Sequence, residues 1–211
     1  MIKKEKYDHV ISLGFFCNVA MQMEWVGIRD CSSPFDWIIS DFTGVMALIE
    51  NHFCDFLDID NLHVIDWERN IVRDKKYMVD FYHDFKMNIS LESQLYLIKE
   101  KYFRRIKRFY DNIDSAKCLF IRYVKNQDEY EYICQNYEKI ISVLRGGDLL
   151  LIGNKDIAKK NKEIWHVEPG EDGVNRTFLQ TDAKLKEYIK HIPYSKKAML
   201  MNKIRYHCKR R

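Results

Sequence analysis

The stretch CLFIRYVKNQDEYEYICQNYEKIISVLRGGDLLLI, residues 118–152, decides the fold of this chain. It begins and ends with apolar runs, CLFIRYV and DLLLI, and such continuous runs are typical of strands that are covered on both faces. Between the runs, apolar residues recur at helical spacing, namely Tyr130, Ile133, Tyr137, Ile140, Ile141 and Leu144. A strand, a helix and a strand within about 35 residues form a crossover unit whose strands are parallel or nearly so.

The ends of the helix in this unit carry their own signals. Asp128, followed by Glu131 three residues later, is a capping-box-like start in which the first carboxylate accepts a backbone N–H and the second reaches back. Gly146-Gly147 ends the helix, because glycine readily adopts the left-handed cap conformation.

The rest of the chain continues the alternation of strands and helices. An apolar run at 9–13 predicts a buried strand that ends at Gly14, and a helical pattern follows it. The remaining predicted elements are helices at 42–53, 91–112 and 182–190 and strands at 71–72, 77–85 and 164–167. The predicted fold class is therefore α/β, a single domain over residues 1–211 with a mostly parallel sheet flanked by helices.

Composition supports one globular domain and excludes several classes of protein. The 211 residues are 46% hydrophobic and 14% aromatic, and three prolines and eight glycines leave little room for linkers. No run approaches the roughly 18–20 apolar residues that cross a bilayer. The six cysteines are scattered without metal-type pairing, which indicates reduced thiols in a cytosol. No phosphate-binding glycine loop is present, so the sequence predicts a cytoplasmic protein without a metal or cofactor.

The two ends of the chain carry charge signals. The N-terminal MIKKEK and the apolar residues after it superficially resemble a signal peptide, but Phe16 precedes Cys17 where a small residue is required, so the segment is interpreted as mature protein. Residues 184–211 carry a net charge of +9, which leaves −5 on residues 1–183 of a chain whose total is +4. This basic tail can attract polyanions such as nucleic acid, but a solvated terminal helix is the favoured interpretation.

Cys17 is the candidate nucleophile. It falls at the junction of the first strand and the following helix, and a helix N-terminus stabilises a thiolate through its partial positive charge and its unpaired N–H groups. The thiolate is the reactive form of cysteine. The alternative is a small buried side chain beneath the strand, since free cysteine is among the most buried residue types.

His83 is the candidate general base. Alternation along a strand would place it on one face with Phe81 and Phe85, where desolvation disfavours the charged imidazole. A cysteine nucleophile needs such a base within hydrogen-bond reach and a third group to orient the base. Asp36 is the preferred third group, because Asp84 is adjacent to the histidine and therefore faces the other way. The alternatives are a core histidine with one hydrogen bond and an ordinary turn aspartate.

The substrate is expected to contact residues around these three. In the segment SSPFDW, residues 32–37, Trp37 could exclude water from the site, and the two serines could donate hydrogen bonds there or stabilise the turn before Pro34. Backbone N–H groups near Phe16 and Cys17 could form an oxyanion hole. The full set of predicted substrate-binding residues is Ser12, Gly14, Phe16, Ser32, Ser33, Trp37 and Asp84.

Three blocks of the sequence together resemble a known family. They are S-L-G-x-x-C at 12–17, S-x-P-F-D-W at 32–37 and F-x-H-D-F at 81–85, with Gly27 and Arg29 between the first two. The combination is similar to a largely uncharacterised, mainly bacterial family of papain-like cysteine peptidases. The resemblance implies that Cys17 is the nucleophile and His83 the base. The chain departs from papain-type enzymes in having no glutamine shortly before this cysteine.

Two functions follow from these features. The first is a cysteine-dependent hydrolase, a peptidase or an acyl transferase, that acts on a peptide or small-molecule substrate through Cys17 and His83. The second is a non-catalytic α/β protein that binds a ligand such as a nucleotide-sugar or a polysaccharide fragment, with Cys17 as a structural residue. Nucleic-acid binding through the basic tail, which would be sensitive to salt, ranks below both.

Overall fold

The crossover at residues 118–152 forms the centre of a four-stranded parallel sheet. The computed structural model describes residues 7–167, 179, 183–190 and 192. In spatial order the strands of the sheet are β1 (His9–Ser12), β6 (Cys118–Tyr123), β7 (Asp148–Gly153) and β8 (Ile164–His166). All neighbours in this sheet run parallel. The α/β class expected from the sequence is confirmed.

Two helices connect β6 and β7 instead of the single predicted one. They are α4 (Gln127–Gln135) and α5 (Tyr137–Val143). The predicted cap at Asp128 is wrong, because the side chain of Asn126 accepts the hydrogen bond from the Glu129 backbone N–H at 3.0 Å. Asparagine caps helices as well as aspartate does, so the helix begins earlier than expected. The predicted stop is confirmed, since Gly146 has a φ of +78° and follows the end of α5.

Helices cover both faces of the parallel sheet. On one face, α1 (Cys17–Trp25) and α7 (Ala183–Lys190) share a buried cluster with Leu119 and Ile121 of β6. On the other face, α2 (Phe42–Glu50), α3 (Leu91–Ser115), the crossover helices and α6 (Lys155–Lys160), which connects β7 to β8, share a cluster with Phe120. Successive residues of β6 thus enter different clusters, as expected for a strand that is buried on both sides.

A second sheet is antiparallel, and the sequence predicts only parts of it. In spatial order its strands are β2 (Ile38–Ser40), β5 (Val79–Phe81), β4 (Ile71–Asp74) and β3 (Leu62–Asp66), and a short 3-10 helix at Ile59–Asn61 precedes β3. The strand predicted at 77–85 ends at Phe81, because the chain bends at 82–84. The Ser40 backbone N–H donates to the Phe15 carbonyl at 3.0 Å, which connects this sheet to the turn after β1.

The C-terminal region is described only in part. Of the basic tail at 184–211, the structure describes 184–190 and 192, where Leu185 and Ile189 are buried. The remainder of the tail, with Cys208, lies outside the described residues, so the role of the tail stays a prediction. Within the described ranges, no helix is long and apolar enough to cross a membrane.

Candidate functional site

The turn after β1 leaves the parallel sheet at Leu13. The Leu13 N–H donates to the Ile121 carbonyl at 2.9 Å, and the Gly14 carbonyl accepts from the Tyr123 N–H at 3.0 Å. The buried Ser12 hydroxyl accepts a hydrogen bond from the Gly14 N–H at 3.1 Å. Ser12 and Gly14, both predicted to bind substrate, therefore shape the turn, and direct contact with a substrate stays a prediction.

The geometry of this turn requires glycine and places Cys17. Gly14 has a φ of +84°, and a Cβ at this position would lie 3.1 Å from Ser40 Oγ, so a larger residue would be strained. Phe16 then adopts extended backbone angles, and its ring packs edge-on against Tyr123 with 5.2 Å between centroids. As a result α1 begins at Cys17, just beyond the carboxyl end of β1.

The Cys17 thiol is partly exposed at the first position of α1. Burial raises its pKa, and the backbone N–H groups of Cys17 and Asn18 lower the pKa by less, so the net direction is above the ordinary thiol value. The stabilisation of the thiolate expected at a helix N-terminus is thus present but outweighed. At neutral pH the residue is mainly the neutral thiol, and a base must take its proton before or during attack.

A fully buried arginine lies beneath this turn. Arg122 projects from β6 and is 0% exposed. Its Nη1 donates to the Leu13 carbonyl at 2.8 Å and to Ser40 Oγ at 3.3 Å, and its Nη2 donates to the Ser40 carbonyl at 2.8 Å. Its Nε and Nη2 also donate to the two carboxylate oxygens of Glu129, both at 2.9 Å. The guanidinium thereby connects the end of β1, the end of β2 and the start of α4.

Sequence reasoning missed Arg122 although a signal was present. It is the only charged residue in the apolar run CLFIRYV. A charged side chain in a strand that is buried on both faces must be paired and hydrogen-bonded, because an isolated buried charge is very costly. The acceptors themselves could not be named in advance, because Leu13 is 109 residues away in the sequence.

Asp36 anchors the SSPFDW segment. Its side chain is 1% exposed, and its Oδ2 accepts hydrogen bonds from Arg29 Nη2 at 2.7 Å and from the Ser33 backbone N–H at 2.8 Å. Burial raises the pKa of Asp36, and the facing Arg29 guanidinium lowers it by less. Ser33 Oγ donates to the Ser12 carbonyl at 3.2 Å, and Ser32 Oγ accepts from Arg29 at 3.2 Å, so both hydroxyls stabilise the turn.

His83 lies in a different environment from the one predicted. Because β5 ends at Phe81 and residues 82–84 bend away, Phe81 and Phe85 are buried while His83 is exposed. The prediction that the two phenylalanines desolvate His83 is wrong, since the period-two alternation stops where the strand stops. The imidazole instead meets the half-buried Trp37 ring edge-on, with 6.2 Å between ring centroids.

Asp84 is held by α3. Its side chain is 2% exposed, accepts a hydrogen bond from the Tyr102 hydroxyl at 2.9 Å and forms an ion pair with Lys101. Asp84 therefore fixes the segment that carries His83 against α3. Its predicted contact with substrate stays a prediction.

The structure does not join the three predicted catalytic residues. Among the described residues, no hydrogen bond links His83 to Cys17 or to Asp36. His83 follows β5 and lies beside the end of β2 that is next to Trp37. The turn before Cys17 is hydrogen-bonded to Ser40, which lies at the opposite end of β2. Within residues 7–167, 179, 183–190 and 192, no group of three or more His, Cys, Asp or Glu residues is arranged to hold a metal ion.

Comparison with known proteins identifies relatives. Residues 8–144 match the sequence model of the family described as "Putative papain-like cysteine peptidase (DUF1796)", a range that contains all three sequence blocks and Arg122. The "Uncharacterized protein R408" of Acanthamoeba polyphaga mimivirus is 33% identical over 157 residues, which are 64% of this chain and 70% of the relative. That relative is viral, so it gives no support to the bacterial source expected from the resemblance. No solved structure matches the chain.

Proposed function

The chain belongs to the family described as "Putative papain-like cysteine peptidase (DUF1796)", and we propose that it is a cysteine-dependent hydrolase or acyl transferase with Cys17 as its nucleophile. The observation that carries the proposal is the partly exposed thiol at the first position of α1, where backbone N–H groups face the sulfur. Cys54 and Cys134 are also exposed, but they lie in a turn and near the end of α4. Neither of them is the first residue of a helix.

In the proposed reaction, Cys17 Sγ attacks the carbonyl carbon of an ester, a thioester or an amide. The carbonyl electron pair moves to the oxygen, which backbone N–H groups at the start of α1 would bind. Collapse of this intermediate breaks the bond to the leaving group, which receives the thiol proton from the general base. The resulting thioester on Cys17 is cleaved by water or by another acceptor, and the thiol is regenerated.

A general base is required because the Cys17 thiol is mainly protonated at neutral pH. We assign this role to His83, because its imidazole is exposed and histidine is the side chain that most often serves as a general base. Catalytic hydrogen bonds are often open in unliganded proteins and form when substrate binds, so the proposal requires the bend at 82–84 to move toward Cys17. Asp36 would support His83 indirectly, because it fixes the segment that carries Trp37.

Acylation by an activated ester tests the proposal. The protein is mixed with p-nitrophenyl acetate, and intact-mass spectrometry with peptide mapping locates the acetyl group. We expect a thioester on Cys17 that hydroxylamine releases and that turns over in buffer. Cys17→Ala should abolish turnover, while Cys134→Ala, which removes another exposed thiol, should preserve it. Turnover that persists in Cys17→Ala, or acylation of Cys17 without turnover, would rule Cys17 out as the nucleophile.

A groove favours a second candidate function, ligand binding without catalysis. It has a volume of about 800 Å³ and is lined by residues of α4, α5, β7, β8 and α7, among them four aromatic residues, Tyr130, Tyr137, Trp165 and Tyr188. The Tyr130 hydroxyl donates to Glu163 at 2.8 Å at its rim. Aromatic walls with a few polar groups are typical of small-molecule sites, and a nucleotide-sugar offers both a flat ring and polar groups.

Calorimetric titration with UDP-glucose tests this second function. Trp165→Ala should weaken binding at least tenfold, whereas Trp67→Ala, which removes a tryptophan that is 67% exposed on another part of the surface, should not. Binding that survives Cys17→Ser, together with no thioester on Cys17, would favour the binding protein over the enzyme. Titrations that release no heat with either wild type or variants would exclude this ligand class.

A further inference from the structure

The guanidinium of Arg122 has no free hydrogen-bonding capacity. A guanidinium carries five N–H donors, and Arg122 makes five hydrogen bonds, all to Leu13, Ser40 and Glu129. The side chain is 0% exposed, and the Glu129 side chain is 4% exposed. The guanidinium also lies over the Phe42 ring, 5.3 Å from its centroid. Such a group holds its acceptors in one arrangement, because any displacement would leave a buried donor unpaired.

The acceptors of Arg122 surround the turn that leads to Cys17. Leu13 precedes Gly14 directly, and its carbonyl is bonded to the guanidinium. Ser40 is bonded to the guanidinium through its carbonyl and hydroxyl, and its N–H donates to the Phe15 carbonyl. The bonds therefore close a ring that runs from Arg122 to Leu13, along the backbone through Gly14 to Phe15, on to Ser40 and back to Arg122.

From this arrangement we infer that Arg122 is a positioning residue for the nucleophile, which holds the turn at 13–16 so that Cys17 meets the backbone N–H groups of α1. The inference rests on the proposed function of Cys17. Arg122 does not touch the sulfur, and its charge is balanced by Glu129. Its effect is therefore geometric, and it acts through the backbone of the turn.

Loss of this arrangement has a measurable consequence at Cys17. If the turn relaxes, the N–H groups that favour the thiolate move away from the sulfur, and the midpoint of the pH dependence of Cys17 alkylation rises by about half a unit. In the acyl-transfer assay, kcat falls while KM changes little, because no contact with bound substrate is removed.

Matched variants separate positioning from stability. Arg122→Lys keeps the charge but cannot reach all five acceptors. Ser40→Ala is a milder change that removes one hydrogen bond of the ring, and Glu129→Gln removes the carboxylate that pairs with the guanidinium. The control is Arg73→Lys, which disrupts a bidentate pair with Asp80 at 2.6 and 2.8 Å. Asp80 pairs with Ile39 of β2, so this variant disturbs the same sheet as Ser40 without removing a hydrogen bond of Arg122. All variants should lower the melting temperature, but only those that change Arg122 or one of its hydrogen-bond partners should raise the alkylation midpoint of Cys17 and lower kcat.

The outcomes distinguish this inference from the proposal on which it rests. A wild-type protein that forms no thioester on Cys17 contradicts the proposed function itself. A wild-type protein that turns over, with midpoints and kcat values in Glu129→Gln and Ser40→Ala equal to those of Arg73→Lys, overturns the positioning role alone. These two variants carry the test if Arg122→Lys does not fold.

Discussion

Replacing Arg29 by methionine tests how the SSPFDW segment is held. Arg29 Nη2 donates to Asp36, which is 1% exposed, and Nη1 donates to Glu24, which is 63% exposed. In Arg29→Met the buried carboxylate keeps only the bond from the Ser33 N–H. We expect the loss of this partner to dominate, because exposed pairs such as that with Glu24 contribute little.

The size of the effect follows from the burial of Asp36. Removing one partner of a buried ion pair costs about 3–5 kcal/mol, because it leaves a charge without compensation. The free energy of unfolding of a globular domain is about 5–15 kcal/mol, so the variant should remain folded but lose a large part of its stability. With a urea dependence of about 2–3 kcal/mol per molar, the unfolding midpoint should fall by about 1–2 M.

The pH dependence of this loss has a defined sign. Burial already raises the pKa of Asp36 in the folded protein, and removal of Arg29 raises it further. A raised carboxyl pKa means that the folded state binds the proton more tightly than the unfolded state does. Stability from this group is then complete below the unfolded pKa and is lost as the pH rises through the folded pKa. The stability gap between wild type and Arg29→Met should therefore narrow when the pH is lowered from about 8 to about 5.

Urea denaturation followed by circular dichroism at both pH values measures these quantities. Arg145→Met is the matched control, because it breaks a pair with Asp114 whose side chains are 50% and 54% exposed and should cost about 1 kcal/mol or less. A loss in Arg29→Met that equals the control, or a gap that is the same at both pH values, would refute the claim that Arg29 compensates a buried charge.

Three further predictions concern the same region. Iodoacetamide near neutral pH should modify Cys54 and Cys134 faster than Cys17, because the Cys17 thiol is partly buried and has a raised pKa. Peptide mapping measures the modification rates, and a faster rate at Cys17 would contradict the structure. Gly14→Ala should destabilise the protein by about 1–3 kcal/mol, because the left-handed backbone and the neighbouring Ser40 Oγ oppose a side chain; an unchanged melting temperature would contradict this. His83→Ala should change stability by less than about 0.5 kcal/mol while abolishing thioester turnover, and a large drop in melting temperature would contradict its exposed position.

The crossover at 118–152 could be predicted because its signals are local. Each strand is a continuous apolar run, and the helical stripe between them has the correct period over many residues. The error at the helix start was equally local, since Asn126 and Asp128 are comparable caps and only the backbone angles distinguish them. In segments with such long local patterns, contacts with distant parts of the chain have little influence on which residues form a helix or a strand.

The antiparallel sheet could be predicted only in part because its strands are short. The strands β2 and β5 have three residues each. Three residues are too few to reveal the period-two alternation of apolar and polar side chains that identifies a strand. The alternation assigned to 77–85 therefore continued past the end of β5 and placed His83 on a buried face. Contacts between distant segments, such as the pairing of Ile38 with Phe81, determine where such strands end.

The candidate site likewise has a part that the sequence predicts and a part that depends on distant contacts. Cys17 lies at a junction of strand and helix that the sequence shows directly, whereas Arg122 depends on acceptors 82 and 109 residues away. For stability alone an apolar side chain could serve at position 122, because buried ion pairs are often matched by well-packed hydrophobic groups. An apolar side chain cannot, however, bind the Leu13 carbonyl and both oxygens of Ser40 at once. The arginine therefore indicates that this position serves the geometry of the turn before Cys17 more than the packing of the core.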